Sequence, residues 1–156
     1  MTEQPRVSDP AARLPGQAAD DAGPIAARGR ILVIDDEPQI RKILGRVLGG
    51  AHSVVLVGSG REALAILDSD RAFDVILCDL SMPDISGAEL HRRLIELDPG
   101  LARRVVFVTG GAFTPEAADF LARVDNVYIE KPISTADLLG VIADILGATN
   151  NDAHVP

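Results

Sequence analysis

Five short apolar runs punctuate the chain: Ile31-Leu32-Val33-Ile34, Val54-Val55-Leu56-Val57, Val75-Ile76-Leu77, Val105-Val106-Phe107-Val108 and Val127-Tyr128-Ile129. They are rich in β-branched residues and continuous rather than alternating, the pattern of strands buried on both faces. Amphipathic stretches separate them. Ile40, Ile43, Leu44, Val47 and Leu48 recur at i, i+3, i+4, i+7 and i+8. Phe113, Ala117, Phe120, Leu121 and Val124 share a second helical face, and Leu138, Ile142, Ile145 and Leu146 a third. Helix-start signals agree with this reading. Ser59 with Glu62, Ser86 with Glu89 and Ser134 with Asp137 have capping-box spacing, and Thr114-Pro115 reads as a cap followed by the first helical residue. The resulting order is (βα)5. Alternation of this kind predicts an α/β domain, a five-stranded doubly wound parallel sheet with helices on both faces.

The pattern fails at both ends. Residues 1–29 hold Pro5, Pro10, Pro15 and Pro24, and their large aliphatic residues are Val7, Leu14 and Ile25. Such a segment buries too little surface to offset its ordering entropy, so 1–29 is expected to be a flexible tail, 30–148 the domain and 149–156 a frayed end. A length of 156 residues suits one core. The 23 acidic against 15 basic residues give a net charge of −8, which disfavours nucleic acid as a partner and leaves carboxylates to hold a cation. Cys78 is the single cysteine, which excludes an internal disulfide and a cysteine-rich zinc site. No apolar run approaches the ~20 residues of a membrane span, and the first residues lack the profile of a signal peptide. The expectation is a soluble, cytoplasmic chain without a membrane partner.

Ligands of an open parallel sheet bind beyond the carboxyl ends of its strands. Asp35, Asp36 and Glu37 follow the first run. Asp79 follows the third, within Cys78-Asp79-Leu80-Ser81-Met82-Pro83-Asp84. Thr109, Gly110 and Gly111 follow the fourth, and Glu130, Lys131 and Pro132 the fifth. The carboxylates of Asp35, Asp36 and Asp79, one hydroxyl and one ammonium are thus predicted to converge on one edge. Asp35, Asp36 and Asp79 offer hard oxygen ligands suited to Mg²⁺. A carboxylate can attack phosphorus and form an aspartyl-phosphate. The cation and Lys131 would neutralise the transferring oxygens, while Thr109 would donate a hydrogen bond to one of them.

On these residues the chain resembles the receiver domain of two-component response regulators. Asp35-Asp36 is similar to the family's acidic pair. Asp79, followed by Met82-Pro83 and Gly87, is similar to its phosphoacceptor and loop. Thr109 matches its hydroxyl position, Lys131-Pro132 its Lys-Pro with a usually cis bond, and Tyr128 its aromatic switch. The match covers about Arg30–Gly147, and the stretch from Val108 to Pro132 also resembles receivers attached to hybrid histidine kinases. The resemblance implies a flavodoxin-like strand order 2-1-3-4-5. It implies phosphorylation of Asp79 by a histidine kinase or histidine phosphotransfer protein, with Mg²⁺ held by Asp35, Asp36, Asp79 and the Ser81 carbonyl. Asp79, Thr109 and Lys131 would catalyse the domain's own phosphorylation and dephosphorylation, and Thr109 with Tyr128 would act as the switch. No DNA-binding or enzymatic output domain is expected in the sequence. The chain departs from the family pattern at Ser81 and Gly111, small residues where larger polar groups often influence access of hydrolytic water.

Other readings stay open at this point. Asp35-Asp36-Glu37 before Pro38 complements a helix N-terminus, and Asp84 reads as turn chemistry. Gly58-Ser59-Gly60-Arg61-Glu62-Ala63 fits the dinucleotide-binding fingerprint, but Glu62 would put a carboxylate where a pyrophosphate needs positive potential. A phosphatase of the haloacid dehalogenase type pairs a similar set of groups, but carries a second Asp where Ser81 stands. A phosphate relay or sink, or an unphosphorylated docking module, would use the same fold.

Overall fold

A computed structural model describes residues 28–110 and 114–154, with side chains to residue 147. In chain order the elements are β1 (Arg30–Ile34), α1 (Pro38–Gly49), β2 (Ser53–Val57), α2 (Gly60–Ser69), β3 (Val75–Asp79) and α3 (Gly87–Leu97). They continue as α4 (Pro99–Ala102), β4 (Val105–Thr109), α5 (Pro115–Arg123), β5 (Tyr128–Glu130) and α6 (Thr135–His154). The strands form one sheet in the order β2-β1-β3-β4-β5, and every neighbouring pair is parallel. This is the flavodoxin-like arrangement that the resemblance implies.

The period of two along each strand divides the core. Ile31 and Val33 face one layer with Leu44 and Leu48 of α1 and Leu138, Ile142 and Leu146 of α6. Leu32 and Ile34 face the other, with Ala63 and Leu67 of α2 and Leu90 and Leu94 of α3. The three central strands are buried on both sides, as their continuous apolar runs predict. The two edge strands differ. Leu56 of β2 and Tyr128 of β5 are exposed, because an edge strand has a neighbour on one side and incomplete helix cover.

The predicted caps form. Ser59, Ser86, Thr114 and Ser134 each accept a hydrogen bond through the hydroxyl from the backbone N–H three residues on, at 3.1–3.3 Å. Three differences stand out. Asp98-Pro99 starts the one-turn helix α4, with Asp98 Oδ1 accepting from Leu101 N–H at 3.2 Å, the same cap-then-proline signal as Thr114-Pro115. Gly29, expected in the tail, is buried. Its N–H donates to His52 Nδ1 at 2.9 Å and its carbonyl accepts from Ser53 N–H at 2.9 Å, extending the β1–β2 pairing by one residue. At the other end α6 runs to His154, past residue 149 where the frayed end is expected to begin; no proline or glycine interrupts 148–154. The rest of the expected tail, residues 1–27, lies outside the described residues, as do Gly111 and Phe113.

Candidate functional site

Because all five strands are parallel, their C-terminal ends lie on one edge of the sheet. Asp35 follows β1 and Asp79 closes β3, on adjacent strands. Their carboxylates and that of Asp36 offer oxygens that all lie within 4.8 Å of one another. Asp35 and Asp79 are 2% and 4% exposed, whereas Asp36 is exposed. Two buried carboxylates this close are stable only when compensated.

Part of the compensation comes from the backbone. Asp35 Oδ1 accepts from Glu37 N–H at 2.9 Å, and Asp79 Oδ1 from Ser81 N–H at 3.2 Å. The rest comes from Lys131. Its Nζ lies 3.4 Å from Asp35 Oδ2, 3.4 Å from Asp79 Oδ2 and 3.2 Å from Glu37 Oε1. The Lys131 backbone is held here by its N–H, which donates to the Thr109 carbonyl at 2.7 Å. The Lys131–Pro132 bond is cis. Burial works against the ammonium, yet Asp79, Glu37 and Asp35 together hold its pKa above the ordinary lysine value.

Compensation remains incomplete at Asp79. Burial above all, with the Asp35 charge adding to it, outweighs the Ser81 N–H and Lys131 and pushes its carboxyl up to about 6. A divalent cation would relieve this repulsion, and the donor set of three carboxylates beside the Ser81 backbone suits a hard ion such as Mg²⁺. The residues present therefore fit the metal. The Cys78 thiol behind Asp79 is pushed up by burial first and then by Asp79 and Asp35, so it stays protonated and inert.

Thr109 ends β4 beside β3. Its side chain is buried, and its Oγ1 makes no hydrogen bond among the described residues. A buried hydroxyl without a partner is costly. It lines a cavity of about 270 Å³ together with Ser81, Met82 and Gly110. An acceptor entering this cavity would satisfy it.

The structure thus brings Asp35, Asp36, Asp79, Thr109 and Lys131 together, with Ser81 in the loop beside them. Tyr128 stands apart on the edge strand, 42% exposed, two residues before Glu130, which pairs in register with Thr109. The sequence pattern did not single out Glu37 as a site residue. Its carboxylate leaves the N-cap of α1 without a side-chain hydrogen bond and turns to Lys131 instead. Its place immediately after the acidic pair was the available signal.

Comparison with known proteins settles the family. The response regulator receiver domain family matches residues 31–143. The chain belongs to this family. It is a receiver domain of two-component signalling. It is 33% identical over 118 residues to the response regulator receiver protein CpdR of Brucella abortus, covering 75% of this chain and 96% of that one. A CheY-like receiver domain from Methanospirillum hungatei superposes with a TM-score of 0.72 at 28% identity, covering 81% of this chain and 99% of that one. The receiver domain of a sensor histidine kinase from Pseudomonas aeruginosa has the same fold, with a TM-score of 0.68 at 24% identity over 78% of this chain and 99% of that one. That structure carries a magnesium ion coordinated in its active-site cleft. Other relatives are longer: the chain spans 33% of a protein-glutamate methylesterase/protein-glutamine glutaminase and 11% of a sensor histidine kinase. Among the described residues of this receiver, no helix is long and apolar enough to cross a membrane.

Proposed function

We propose that this receiver accepts a phosphoryl group on Asp79 from a phosphohistidine of a histidine kinase or histidine phosphotransfer protein, and signals by the change that follows. The observation that carries this is a buried, poorly compensated Asp79 carboxylate beside a lysine ammonium and an unpartnered hydroxyl. A carboxylate oxygen of Asp79 attacks phosphorus. The P–N bond breaks and its electron pair leaves with the imidazole of the donor. Lys131 neutralises charge on the transferring oxygens, and Thr109 Oγ1 donates a hydrogen bond to one of them. Asp36, Asp79 and the Ser81 carbonyl would hold Mg²⁺, with Asp35 acting partly through water. When bound, the ion supplies positive charge at the phosphoryl oxygens. The result is a domain that catalyses its own modification, not a metabolic enzyme.

Ser81 supports this over a phosphatase of the haloacid dehalogenase type, because no acid stands two residues after Asp79 to protonate a leaving group. Intact-mass analysis after incubation with Mg²⁺ and acetyl phosphate separates the two. The receiver reading predicts a gain of one phosphoryl group per chain, abolished by excess chelator without unfolding. Continuous phosphate release from unrelated phosphate esters would contradict it.

A further inference from the structure

The Gly58-Ser59-Gly60-Arg61-Glu62-Ala63 stretch has the spacing of a phosphate-binding turn, but the start of its helix is already filled by the protein's own acceptors. Ser59 Oγ accepts from Glu62 N–H at 3.1 Å, and Glu62 Oε1 accepts from Gly58 N–H at 2.7 Å. A third acceptor comes from another element. Asp84 lies in the loop between β3 and α3, and its Oδ2 accepts from Arg61 N–H at 3.2 Å, with Arg61 Nε 4.0 Å away. The N–H groups of Ile85 first, and then of Arg61, Asp84 and Gly60, hold the Asp84 carboxyl below the usual carboxylate range. Amides at the start of a helix favour such a carboxylate.

Steric fit joins the same two segments. A Cβ on Gly60 would meet Ile85 Cβ at 2.9 Å and the Ile85 carbonyl oxygen at 3.2 Å, so only glycine lets the loop backbone lie this close to α2. Ile85 is buried in the layer that also holds Leu80 and Met82. The loop is closed at its root by Gly87 N–H donating to the Leu80 carbonyl at 2.9 Å. Residues 80–86 are thus fixed at two places, to their own root and to the start of α2. Between these points lies Ser81, whose N–H holds Asp79 Oδ1.

We infer that Asp84 and Gly60 are positioning residues for the Asp79 site: they clasp the Ser81-bearing loop onto α2 and thereby set the Ser81 backbone against Asp79. Its consequence for metal binding rests on the proposed phosphoacceptor function, while the clasp itself is a property of the metal-free chain. Neither residue touches the reacting atoms. Their effect runs through the placement of the Ser81 N–H and carbonyl, and displacements of about 1 Å in such groups carry large penalties.

The test compares wild type with Asp84→Ala, Asp84→Asn, Gly60→Ala and Arg61→Ala. Amide exchange of residues 80–87 in metal-free protein reads the clasp. Titration with MgCl₂, and phosphorylation by acetyl phosphate across Mg²⁺ concentrations, read its consequence. Asp84→Ala and Gly60→Ala are expected to speed exchange at Ser81 and to raise the Mg²⁺ half-saturation at least threefold. The phosphorylation rate at saturating Mg²⁺ should stay within twofold of wild type. Asp84→Asn keeps an acceptor oxygen and should rescue most of the loss, and Arg61→Ala, which keeps the backbone N–H, should match wild type. Unchanged exchange and Mg²⁺ affinity in Asp84→Ala and Gly60→Ala would overturn the inference, as would a lowered Tm with unchanged Mg²⁺ half-saturation. If Asp84→Ala does not fold, Gly60→Ala, which alters no charge, decides alone. Wild type that binds Mg²⁺ and takes up phosphate beside variants that do so equally well would leave the phosphoacceptor reading standing and overturn the positioning role of Asp84 and Gly60. Wild type that does neither would remove the phosphoacceptor reading, and amide exchange alone would then decide the clasp.

Discussion

Asp79 is central to the proposed chemistry of this receiver because its carboxylate is held in an unfavourable place. Its pKa rises from an ordinary 3.8 to about 6 on folding, first through burial and then through Asp35, with the Ser81 N–H and Lys131 only partly offsetting them. The folded state therefore binds more protons than the unfolded state between about pH 4 and 6. Stability from this group is greatest below the unfolded pKa and is lost as pH rises through the folded one. The total is on the order of 2–3 kcal/mol. Asp79→Asn removes the burden, so in metal-free buffer it should melt above wild type at pH 7, with the gap closing toward pH 4. Thermal melts across that range check this, and a variant less stable than wild type at pH 7 would show that ionised Asp79 is a net stabiliser. Mg²⁺ should raise the Tm of wild type more than that of the variant, since it relieves the same repulsion.

Among the elements, α1 does two jobs. Leu44 and Leu48 anchor it to the sheet, but Ile43, on the same predicted stripe, is 54% exposed. It lines a groove of about 210 Å³ with Ile40, Val47, Ile133 and Lys131 itself. If the proposed phosphohistidine donor docks on this apolar rim, contact there and transfer at the site can be separated. Ile43→Glu should slow phosphoryl transfer from a donor kinase about tenfold or more while leaving phosphorylation by acetyl phosphate unchanged. Equal loss with both donors would place the effect in the site and not in docking. Ile43 also marks a limit of the sequence. Periodicity gives the helix and its face, but the width of the buried stripe depends on how the neighbouring α6 packs. The central strands, the caps and the convergence of Asp35, Asp36, Asp79, Thr109 and Lys131 were legible, because strand ends in a parallel sheet share an edge whatever the loops do. The contacts of Glu37 and Asp84 were not, because each depends on the direction of one side chain across a tertiary gap. The burial of Gly29 was invisible to a hydrophobic pattern, since glycine has no side chain to count.

At the scale of the whole molecule, the proposed phosphorylation signals only if it becomes a change that a partner can read. Thr109 and Tyr128 lie on neighbouring strands, with Phe107 paired to Tyr128 and Thr109 to Glu130. A phosphoryl oxygen above Asp79 would draw the Thr109 hydroxyl toward it, and the exposed Tyr128 ring would take a second packing against β4. Two packings a few kcal/mol apart suffice for a population shift. Backbone amide shifts over 115–123 and 127–133 should change when a phosphoryl mimic is added with Mg²⁺, and should shrink in Thr109→Ala while Asp79 phosphorylation largely survives. Changes confined to the metal site would make the domain a phosphate relay or sink.

All of this depends on Asp79 being the phosphoacceptor. The most direct measurement is intact mass of wild type and Asp79→Asn, side by side, after acetyl phosphate and Mg²⁺ at pH 7. The account predicts one acid-labile phosphoryl group on wild type and none on the variant. A variant that takes up phosphate at the rate and stoichiometry of wild type would contradict it.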